Sequence, residues 1–523
     1  MNRARLLTAA GGLTIALASV ACNNDKITNL NKNPNSPETA PATTLFTEGA
    51  RLSVARWMGG YSQRATEFVV QHMSEAQYSD EDRYTRLGPG GTEGYFTASY
   101  PGELEDLTKV VSLGKGTNEP GTWAPAQVMK VWGVSYVTNT FGDVPYSQAW
   151  QGDSVAVQST AISPKYDAQK DIYTDLFAKL TEANTALGSA SGTLGGSDPI
   201  YGGSTAKWQK FGNSLHARLA LLLINVDPAT AKAELAKALA GPLITTNADN
   251  AKVSWPGDGV YNNPWSDFFK TRDDNRMSKT LMDILIGNSD PRTSIYAQPT
   301  LADPTVYAGE PNGLSTPDAG QYLKTSSRIG TVMMPNATAY ASYPGAAGAK
   351  WPSFLFTAAE MNFILAEVSE RSLVPGYTPA QAAAYYNAGI TASLNQWGVT
   401  DATTIANFLA QPNVIYQGGT AGQAQIATQK WIALFTDGGT AWFEWRRTCV
   451  PTTVTTTGAG TAFSNKYIPR RFQYSPTEYS VNDKNVAAAA AALSGGDTFN
   501  GIMYVDGGYK SAPTYNAAAC NAP

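Results

Sequence analysis

Apolar residues recur every three to four positions in several stretches of the chain, which is the spacing of an amphipathic helix. Residues 172–183 carry one such stripe, and residues 208–226 carry another. A third helix is predicted over 228–240, because Asp227 can cap its first turn and Pro228 suits the first helical position. The first half of the chain is therefore predicted to be largely helical.

The second half shows the same pattern with clearer start signals. Thr357 and Glu360 have the spacing of a capping box, and Thr378 followed by Pro379 marks the start of another helix. A further helix is predicted over 426–435. Adjacent helix pairs favour helix hairpins of the tetratricopeptide kind, although no strict repeat of about 34 residues is present. We expect a mainly all-α fold with little β structure.

Long segments rich in Gly separate these helices. Compact domains usually join their elements with about 4 to 6 residues, and longer ordered loops often carry function. These loops are therefore the first place to look for a ligand site. They span residues 86–94, 189–204, 247–264, 300–350 and 451–464.

Composition narrows the class of protein. Hydrophobic residues make up 43% of the chain and charged residues 15%, which is typical of a folded protein. The 38 basic and 42 acidic residues form no basic stripe, which argues against a nucleic-acid partner. The 12 Trp and 26 Tyr favour half-wet surfaces and binding clefts, because their rings are apolar but carry a polar group.

The N-terminus reads as an export signal over residues 1–21. Arg3 and Arg5 precede an apolar stretch that ends just before Cys22, and this stretch is shorter than the ~20 residues of a membrane-spanning helix. The placement of Cys22 after small residues resembles the bacterial lipobox, in which that cysteine is lipidated. The alternative is ordinary signal cleavage with Cys22 incidental. Residues 22–44 are predicted to be a Pro-rich tether that begins at the lipid anchor.

The cysteines and histidines restrict covalent and metal chemistry. After the signal, only Cys449 and Cys520 remain beside Cys22, and in an exported protein they are a candidate disulfide pair. With two His and no CxxC motif, zinc and His-rich metal sites lack ligands. We expect no metal or cofactor for function, although acidic clusters such as Asp80 to Asp82 could hold a structural Ca²⁺.

Six segments occur in an order that points to a known family. They lie at residues 141–149, 207–219, 273–292, 359–367, 429–447 and 468–482, and include Phe141-Gly-Asp-Val-Pro-Tyr146, Lys207-Trp208-Gln-Lys-Phe211 and Trp442-Phe-Glu-Trp-Arg-Arg447. Together they resemble the SusD/RagB family, specifically its second SusD-like branch of outer-membrane nutrient-binding lipoproteins. The resemblance covers nearly the whole mature chain.

The resemblance implies a single domain over residues 45–523, with a tetratricopeptide-like helical scaffold and long irregular ligand-binding loops. It also implies a lipoprotein on the exterior of the outer membrane that captures oligosaccharides, or peptides, for a TonB-dependent SusC-like transporter. Such a protein is not an enzyme. The alternative is a secreted helical-barrel glycoside hydrolase, which would place two carboxylates across one glycosidic bond.

The family segments themselves are predicted to be structural. Residues 142–145 read as a turn whose Asp143 accepts backbone hydrogen bonds. Trp208 and Phe211 lie at helical spacing and are expected in the core, while Arg446 and Arg447 beside Glu444 suggest an ion-pair network between helix and loop.

The ligand site is predicted from what sugars require. Their C–H faces pack on aromatic rings, and their hydroxyls need side chains that donate and accept hydrogen bonds. An early stretch meeting mid-chain loops would have this composition. The alternative for the two tryptophans is that they pack against the scaffold. The candidate residues are Tyr78, Arg83, Tyr84, Tyr95, Trp255, Trp265, Tyr322 and Tyr343.

Overall fold

The structure, a computed structural model, describes residues 40–151, 163–192, 194–270, 272–333, 346–456, 462–465 and 467–507. Over these residues the chain is mainly helical, and its strands form short two-stranded pairs. The prediction of a mainly all-α fold with little β structure is confirmed. None of the helices described is both long enough and apolar enough to span a membrane.

The first half begins with a long helical segment. Helix α1, Ala42–Val54, continues through a π-helical stretch, Ala55–Thr66, into α2, Glu67–Val69. Because α1 begins at Ala42, the predicted tether of residues 22–44 extends too far into the domain. The other helices of this half are α3 Pro89–Thr97, α4 Glu105–Gly116, α5 Pro120–Phe141, α6 Gln169–Leu187, α7 Thr205–Leu222 and α8 Pro228–Leu239.

The second half contains short helices followed by longer ones. The short helices are α9 Pro264–Phe268, α10 Lys279–Gly287, α11 Thr293–Tyr296, α12 Thr316–Ala319 and α13 Ala346–Ala349. The remaining helices are α14 Ala358–Glu370, α15 Pro379–Gln396, α16 Ala402–Leu409, α17 Gly419–Ala433, α18 Gly438–Thr448, α19 Pro476–Val481 and α20 Asp483–Ala492.

Three antiparallel strand pairs join distant parts of the chain. β1, Met73–Glu75, pairs with β5, Asn275–Met277, so that Met73 lies opposite Met277. This pair brings the segment after α2 next to the segment before α10. The other pairs are β2 Val144–Pro145 with β3 Tyr166–Asp167, and β4 Ala251–Val253 with β6 Ser353–Phe356.

The helix start signals in the sequence act largely as predicted. The carboxylate of Asp227 accepts a hydrogen bond from the Thr230 amide at 3.1 Å, which caps α8. Thr357 likewise accepts from the Glu360 amide at 3.2 Å. Glu360 does not complete the capping box, because its carboxylate accepts hydrogen bonds from the buried guanidinium of Arg218 instead.

One loop prediction is wrong. Residues 86–94 were expected to be a loop because they are rich in Gly, but Pro89–Thr97 is helix α3. Pro89 suits the first helical position, and Phe96 anchors the helix by packing in an edge-on contact with Phe141, at 5.1 Å between ring centroids.

Consecutive helices pack against each other as the hairpin prediction requires. α4 packs on α5, α5 on α6, α7 on α8, and α14 on α15. One large hydrophobic core extends through the molecule, and a smaller one is enclosed by α14 to α17. Trp208 and Phe211 are fully buried in the large core, as predicted.

The predicted ion-pair network joins α18 to its surroundings. Arg447 donates to Glu367 of α14 at 2.6 and 2.7 Å and to Glu444 at 2.6 Å. Arg446 supplies the contact between helix and loop, because it donates to the carbonyls of Asn139 and Arg470. Of the predicted turn at residues 142–145, Gly142 and Asp143 form a bend after α5, while Val144 and Pro145 form β2; Asp143 accepts from the Gln169 amide at 2.8 Å. These family segments are structural.

Cys449 ends α18 in the left-handed conformation, with φ of 54°, and is fully buried. It is disulfide-bonded. Cys520 and Cys22 lie outside the described residues, so the pairing of Cys449 with Cys520 stays a prediction. Peptide mapping of the unreduced protein would identify the partner.

Candidate functional site

A cleft of about 460 Å³ lies where the segment after β1 meets the segment before β5. The pairing of β1 with β5 explains this meeting, because each strand leads directly into one wall. An early stretch and a mid-chain segment therefore come together, but the mid-chain residues are 272–274 and Leu323 and do not include Trp255 or Trp265. The lining residues are Gln77, Tyr78, Asp80, Glu81, Arg86, Arg272, Asp273, Asp274 and Leu323.

Tyr78 is the exposed aromatic residue of this cleft, with 64% of its surface accessible. Its backbone is in the left-handed region, with φ of 55°, which a bulky residue rarely adopts. The guanidinium carbon of Arg272 lies over the ring at 5.5 Å from its centroid, and also lies 5.2 Å from the ring centroid of Phe268. The ring of Tyr78 is thus positioned at the surface by a cation and by its own backbone.

Two buried carboxylates support the loop that carries Tyr78. Glu75 accepts hydrogen bonds from the amides of Glu81 and Asp82, each at 3.2 Å. Asp82 accepts from the Asn312 side-chain amide at 2.6 Å and from the Gly313 amide at 3.0 Å. The loop of residues 77–86 is therefore attached to the mid-chain segment around residue 312.

Burial raises the pKa of both carboxyl groups. It raises the pKa of Asp82 to about 7. Burial, followed by the charges of Glu81 and Asp82, raises the pKa of Glu75 well above its usual range. A protonated carboxyl can donate as well as accept, which suits groups held close together inside the protein.

The charged groups at the cleft surface are paired. Asp273 accepts from Arg328 at 2.6 Å and from Arg276 at 3.1 Å, and Asp274 is paired with Arg272. Asp80 is paired with Arg83 at 2.6 Å. Pairing positions these carboxylates while leaving lone pairs for further hydrogen bonds. The cleft combines an aromatic face with hydrogen-bonding groups, which is the combination that a saccharide requires.

The structure brings only some of the predicted residues to the cleft. Tyr78 lines it, and Tyr322 precedes the lining residue Leu323. Arg83 lies on the same loop, but its guanidinium is bonded to Asp80 and to the Ser79 carbonyl. Tyr95 packs 5.2 Å from the ring of Tyr61 and donates its hydroxyl to the Gly60 carbonyl. Tyr343 lies outside the described residues.

Three of the predicted aromatic residues belong to the core instead. Tyr84 is fully buried, with its ring 4.9 Å from that of Phe463. Trp255 and Trp265 are 5% and 2% exposed, and their indole nitrogens donate to Ser353 at 2.9 Å and to the Met58 carbonyl at 2.7 Å. The prediction that these three contact ligand is wrong, and packing against the scaffold is the correct alternative for both tryptophans.

Sequence reasoning missed Arg272, Asp273 and Asp274 as cleft residues. None of these three was among the residues predicted to contact ligand, although all three line the cleft. The available signal was their position, since Asp273 and Asp274 begin a segment that resembles the family, Arg272 directly precedes it, and all three lie in the mid-chain region expected to meet the early stretch.

The acidic clusters do not form a metal site over the ranges that the structure describes. There, no three residues among His, Cys, Asp and Glu are grouped so as to hold an ion. A structural Ca²⁺ stays a prediction.

Comparison with known proteins identifies the architecture. Residues 34–475 match the profile of a SusD-like family described as "Starch-binding associating with outer membrane". No curated protein matches the chain.

Solved structures match over most of the chain. A chitin-binding SusD homologue from Flavobacterium johnsoniae is 24% identical, with a TM-score of 0.73, and the match covers 89% of this chain and 98% of that one. A SusD homologue from Bacteroides uniformis has the same identity and TM-score, with 90% and 100% covered. One from Bacteroides fragilis is 22% identical, with a TM-score of 0.74 and 90% and 99% covered. At these identities the structures establish a shared fold.

Proposed function

We propose, because the chain belongs to the SusD-like family, that it captures oligosaccharides at the outer membrane and passes them to a TonB-dependent, SusC-like transporter. The resemblance noted in the sequence is confirmed by the family match over residues 34–475. The family is described by binding, and the chain is accordingly a binding protein and not an enzyme.

The exposed ring of Tyr78 is the observation that carries the proposal. A ring that is 64% exposed loses contact with water when a sugar face covers it, and this burial favours binding. Arg272, which lies over the same ring, holds the platform in place and is itself bonded to Asp274. The surrounding carboxylates can accept hydrogen bonds from sugar hydroxyls.

Oligosaccharides are favoured over peptides as the ligand for two reasons. The family description names starch, and one solved structure of the same fold is a chitin-binding protein. The cleft also contains one exposed aromatic residue among paired charges, which suits a hydroxyl-rich ligand better than an apolar peptide side chain.

The binding function is tested by titrating the full chain, purified in detergent, with maltohexaose, chitohexaose and xylohexaose, followed by mass analysis of the sugar. We expect saturable binding of at least one sugar and recovery of that sugar intact. Shortened products would favour the helical-barrel glycoside hydrolase, and no binding across the panel would contradict the proposal.

The lipid anchor at Cys22 is part of the same proposal, and it rests on the apolar signal over residues 1–21. A diacylglycerol with a further acyl chain holds a protein stably on a membrane, whereas one acyl chain holds it marginally. Cys22→Ala should therefore release the protein from the outer-membrane fraction. Cys520→Ala, which changes a different cysteine, should stay with the membrane; unchanged fractionation of both variants would contradict the anchor.

The transporter partner follows from the family and from the need of a surface-bound sugar for a route across the membrane. Gentle detergent extraction and affinity purification should recover a β-barrel protein with this chain. Repeated recovery of the chain alone would count against the partner while leaving glycan capture in place.

A further inference from the structure

A second cleft, of about 400 Å³, shares no lining residue with the Tyr78 cleft. It lies between the end of α3, the π-helical segment Tyr100–Leu104, the β2–β3 pair and the start of α19. Its volume is in the range of small-molecule sites, about 300 to 1,000 Å³. It is lined by Phe96, Thr97, Tyr100, Pro101, Glu105, Pro145, Ala149, Trp150, Pro164, Thr477 and Glu478.

Two stacked aromatic rings form part of its wall. The rings of Tyr100 and Trp150 are 5.4 Å apart at their centroids and inclined by 16°. Trp150 has a left-handed backbone, with φ of 58°, and Tyr100 begins a π-helical segment that contains a non-helical Gly102. Bulky residues rarely adopt a left-handed φ, and such strain and π-helical turns are common at functional sites. Unusual backbone on both sides therefore brings these two rings together.

The polar atoms of Tyr100 and Trp150 already donate hydrogen bonds to backbone carbonyls. The indole nitrogen of Trp150 donates to the Tyr100 carbonyl at 3.1 Å, and the Tyr100 hydroxyl donates to the Pro145 carbonyl at 2.9 Å. The Thr477 hydroxyl donates to Glu93. These groups are therefore not free to donate hydrogen bonds to a ligand.

The cleft offers an acceptor instead. Oε2 of Glu478 accepts from the Tyr166 hydroxyl at 2.8 Å and from the Asn482 amide at 3.3 Å. Within the described part of the chain, no residue donates to its Oε1. Glu105 brings a second carboxylate to the lining.

This arrangement distinguishes two kinds of ligand. A proline-rich peptide docks on aromatic and proline side chains but has backbone carbonyls that need donors. A sugar ring has apolar C–H faces and hydroxyls that donate to carboxylates. Because the aromatic donors here are occupied and a carboxylate oxygen is open, the cleft matches the sugar.

We propose that this second cleft binds one sugar ring of a glycan, with its apolar face buried against the wall formed by Tyr100, Trp150 and Pro145 and with Glu478 accepting from its hydroxyls. The inference rests on the proposed function, since it assumes that the protein captures glycans. For a polymer long enough to reach both clefts, the second contact raises the retention of glycan at the surface through multivalency.

The test counts saccharides per chain by calorimetry on the full chain in detergent, using the sugar from the panel that binds best. The variants are Tyr78→Ala, Trp150→Ala, Glu478→Gln and the double variant Tyr78→Ala with Trp150→Ala. Tyr479→Ala is the control, because Tyr479 is 40% exposed beside the cleft without lining it. Thermal unfolding of each variant checks that it is folded.

We expect two sugars per wild-type chain. Tyr78→Ala should weaken the first site and leave the second unchanged, the double variant should weaken both, and Glu478→Gln should weaken binding at the second cleft about tenfold. A folded Trp150→Ala that binds like wild type would overturn the second site while the Tyr78 site stands. A proline-rich peptide that binds wild type but not Trp150→Ala would also overturn it. Absence of any sugar on wild type would instead contradict the proposed function.

Discussion

Tyr78 and Trp265 are both aromatic residues on loops, and their surroundings give them opposite roles. The exposed ring of Tyr78 lies beneath the guanidinium of Arg272, whereas Trp265 is enclosed and donates its indole N–H to the Met58 carbonyl. Only an exposed ring can gain burial from a ligand, and only a buried ring contributes its burial to folding. Exposure therefore decides which substitution changes binding and which changes stability.

Trp265→Ala should lower the free energy of unfolding by about 3 to 5 kcal/mol, because it leaves a cavity and an unpaired carbonyl. Urea denaturation followed by circular dichroism measures this value. Val260→Ala is the control on the same loop, since Val260 is 75% exposed and its truncation should stay within about 0.5 kcal/mol. Equal stability of the two variants would place Trp265 outside the core.

The effect of burying the Glu310 carboxyl group can be tested through the pH dependence of stability. It is fully buried, and burial together with the charge of Asp82 raises its pKa from an ordinary 4.5 to about 9. The folded state therefore holds a proton that the unfolded state releases, so this contribution to stability is complete below about pH 4.5 and is lost as the pH rises through about 9.

Glu310→Gln should consequently reduce the loss of stability between neutral pH and pH 9, as measured by urea denaturation at several pH values. Glu48→Gln, at a side chain that is 44% exposed, should leave the loss of stability between neutral pH and pH 9 as in wild type. A steeper loss of stability in Glu310→Gln would contradict the burial argument.

The sequence also failed to predict which aromatic side chains are exposed. Tyr78 and Tyr84 are six positions apart in the same polar stretch, and nothing in their local pattern separates them. Tyr84 is buried because Phe463, 379 positions later, packs on its ring, and Asp82 is fixed by Asn312. Such contacts depend on the tertiary structure, so the sequence predicted the loop but not which of its rings faces water.

Helices were more predictable than loops because their signals are local. Asp227 caps α8 and Thr357 caps α14 at the positions that the sequence indicated. The pairing of Glu360 with Arg218 was not predictable, because Arg218 lies on α7, 142 positions away. That buried pair joins two helix hairpins of the scaffold.

Arg218→Ala should cost about 3 to 5 kcal/mol, because it leaves the carboxylate of Glu360 buried without its cation. Arg218 and Glu360 are 3% and 1% exposed, and the shortest contact between them is 2.5 Å. Lys279→Ala is the control, since the Lys279–Asp283 pair is 53% and 59% exposed and should contribute about 0.5 kcal/mol or less. Chemical denaturation compares the two losses, and similar small values would show that the buried pair is dispensable.

The molecule as a whole places long loops on a helical scaffold so that distant segments meet in one cleft. The β1–β5 pair joins residues near 75 to residues near 275, and Asp82 attaches the loop of residues 77–86 to Asn312. Together these contacts build the Tyr78 cleft. The family was predictable from the order of six sequence segments, and the all-α fold class from helical spacing. A meeting of early and mid-chain segments was also expected, but Trp255 and Trp265 of the expected loop are buried and residues 272–274 line the cleft instead. The contribution of Arg272 was not predictable, because it depends on which loops the short strand pair brings together.

Calorimetry on Tyr78→Ala tests glycan capture by this cleft most directly. Affinity for the sugar that binds wild type best should fall by about 1 to 3 kcal/mol, the free energy of burying a large apolar side chain, while the melting temperature stays unchanged. Tyr479→Ala, which removes another exposed ring, should bind as wild type does. Wild-type affinity in a folded Tyr78→Ala variant would contradict the account and leave the Tyr78 cleft without a role in binding.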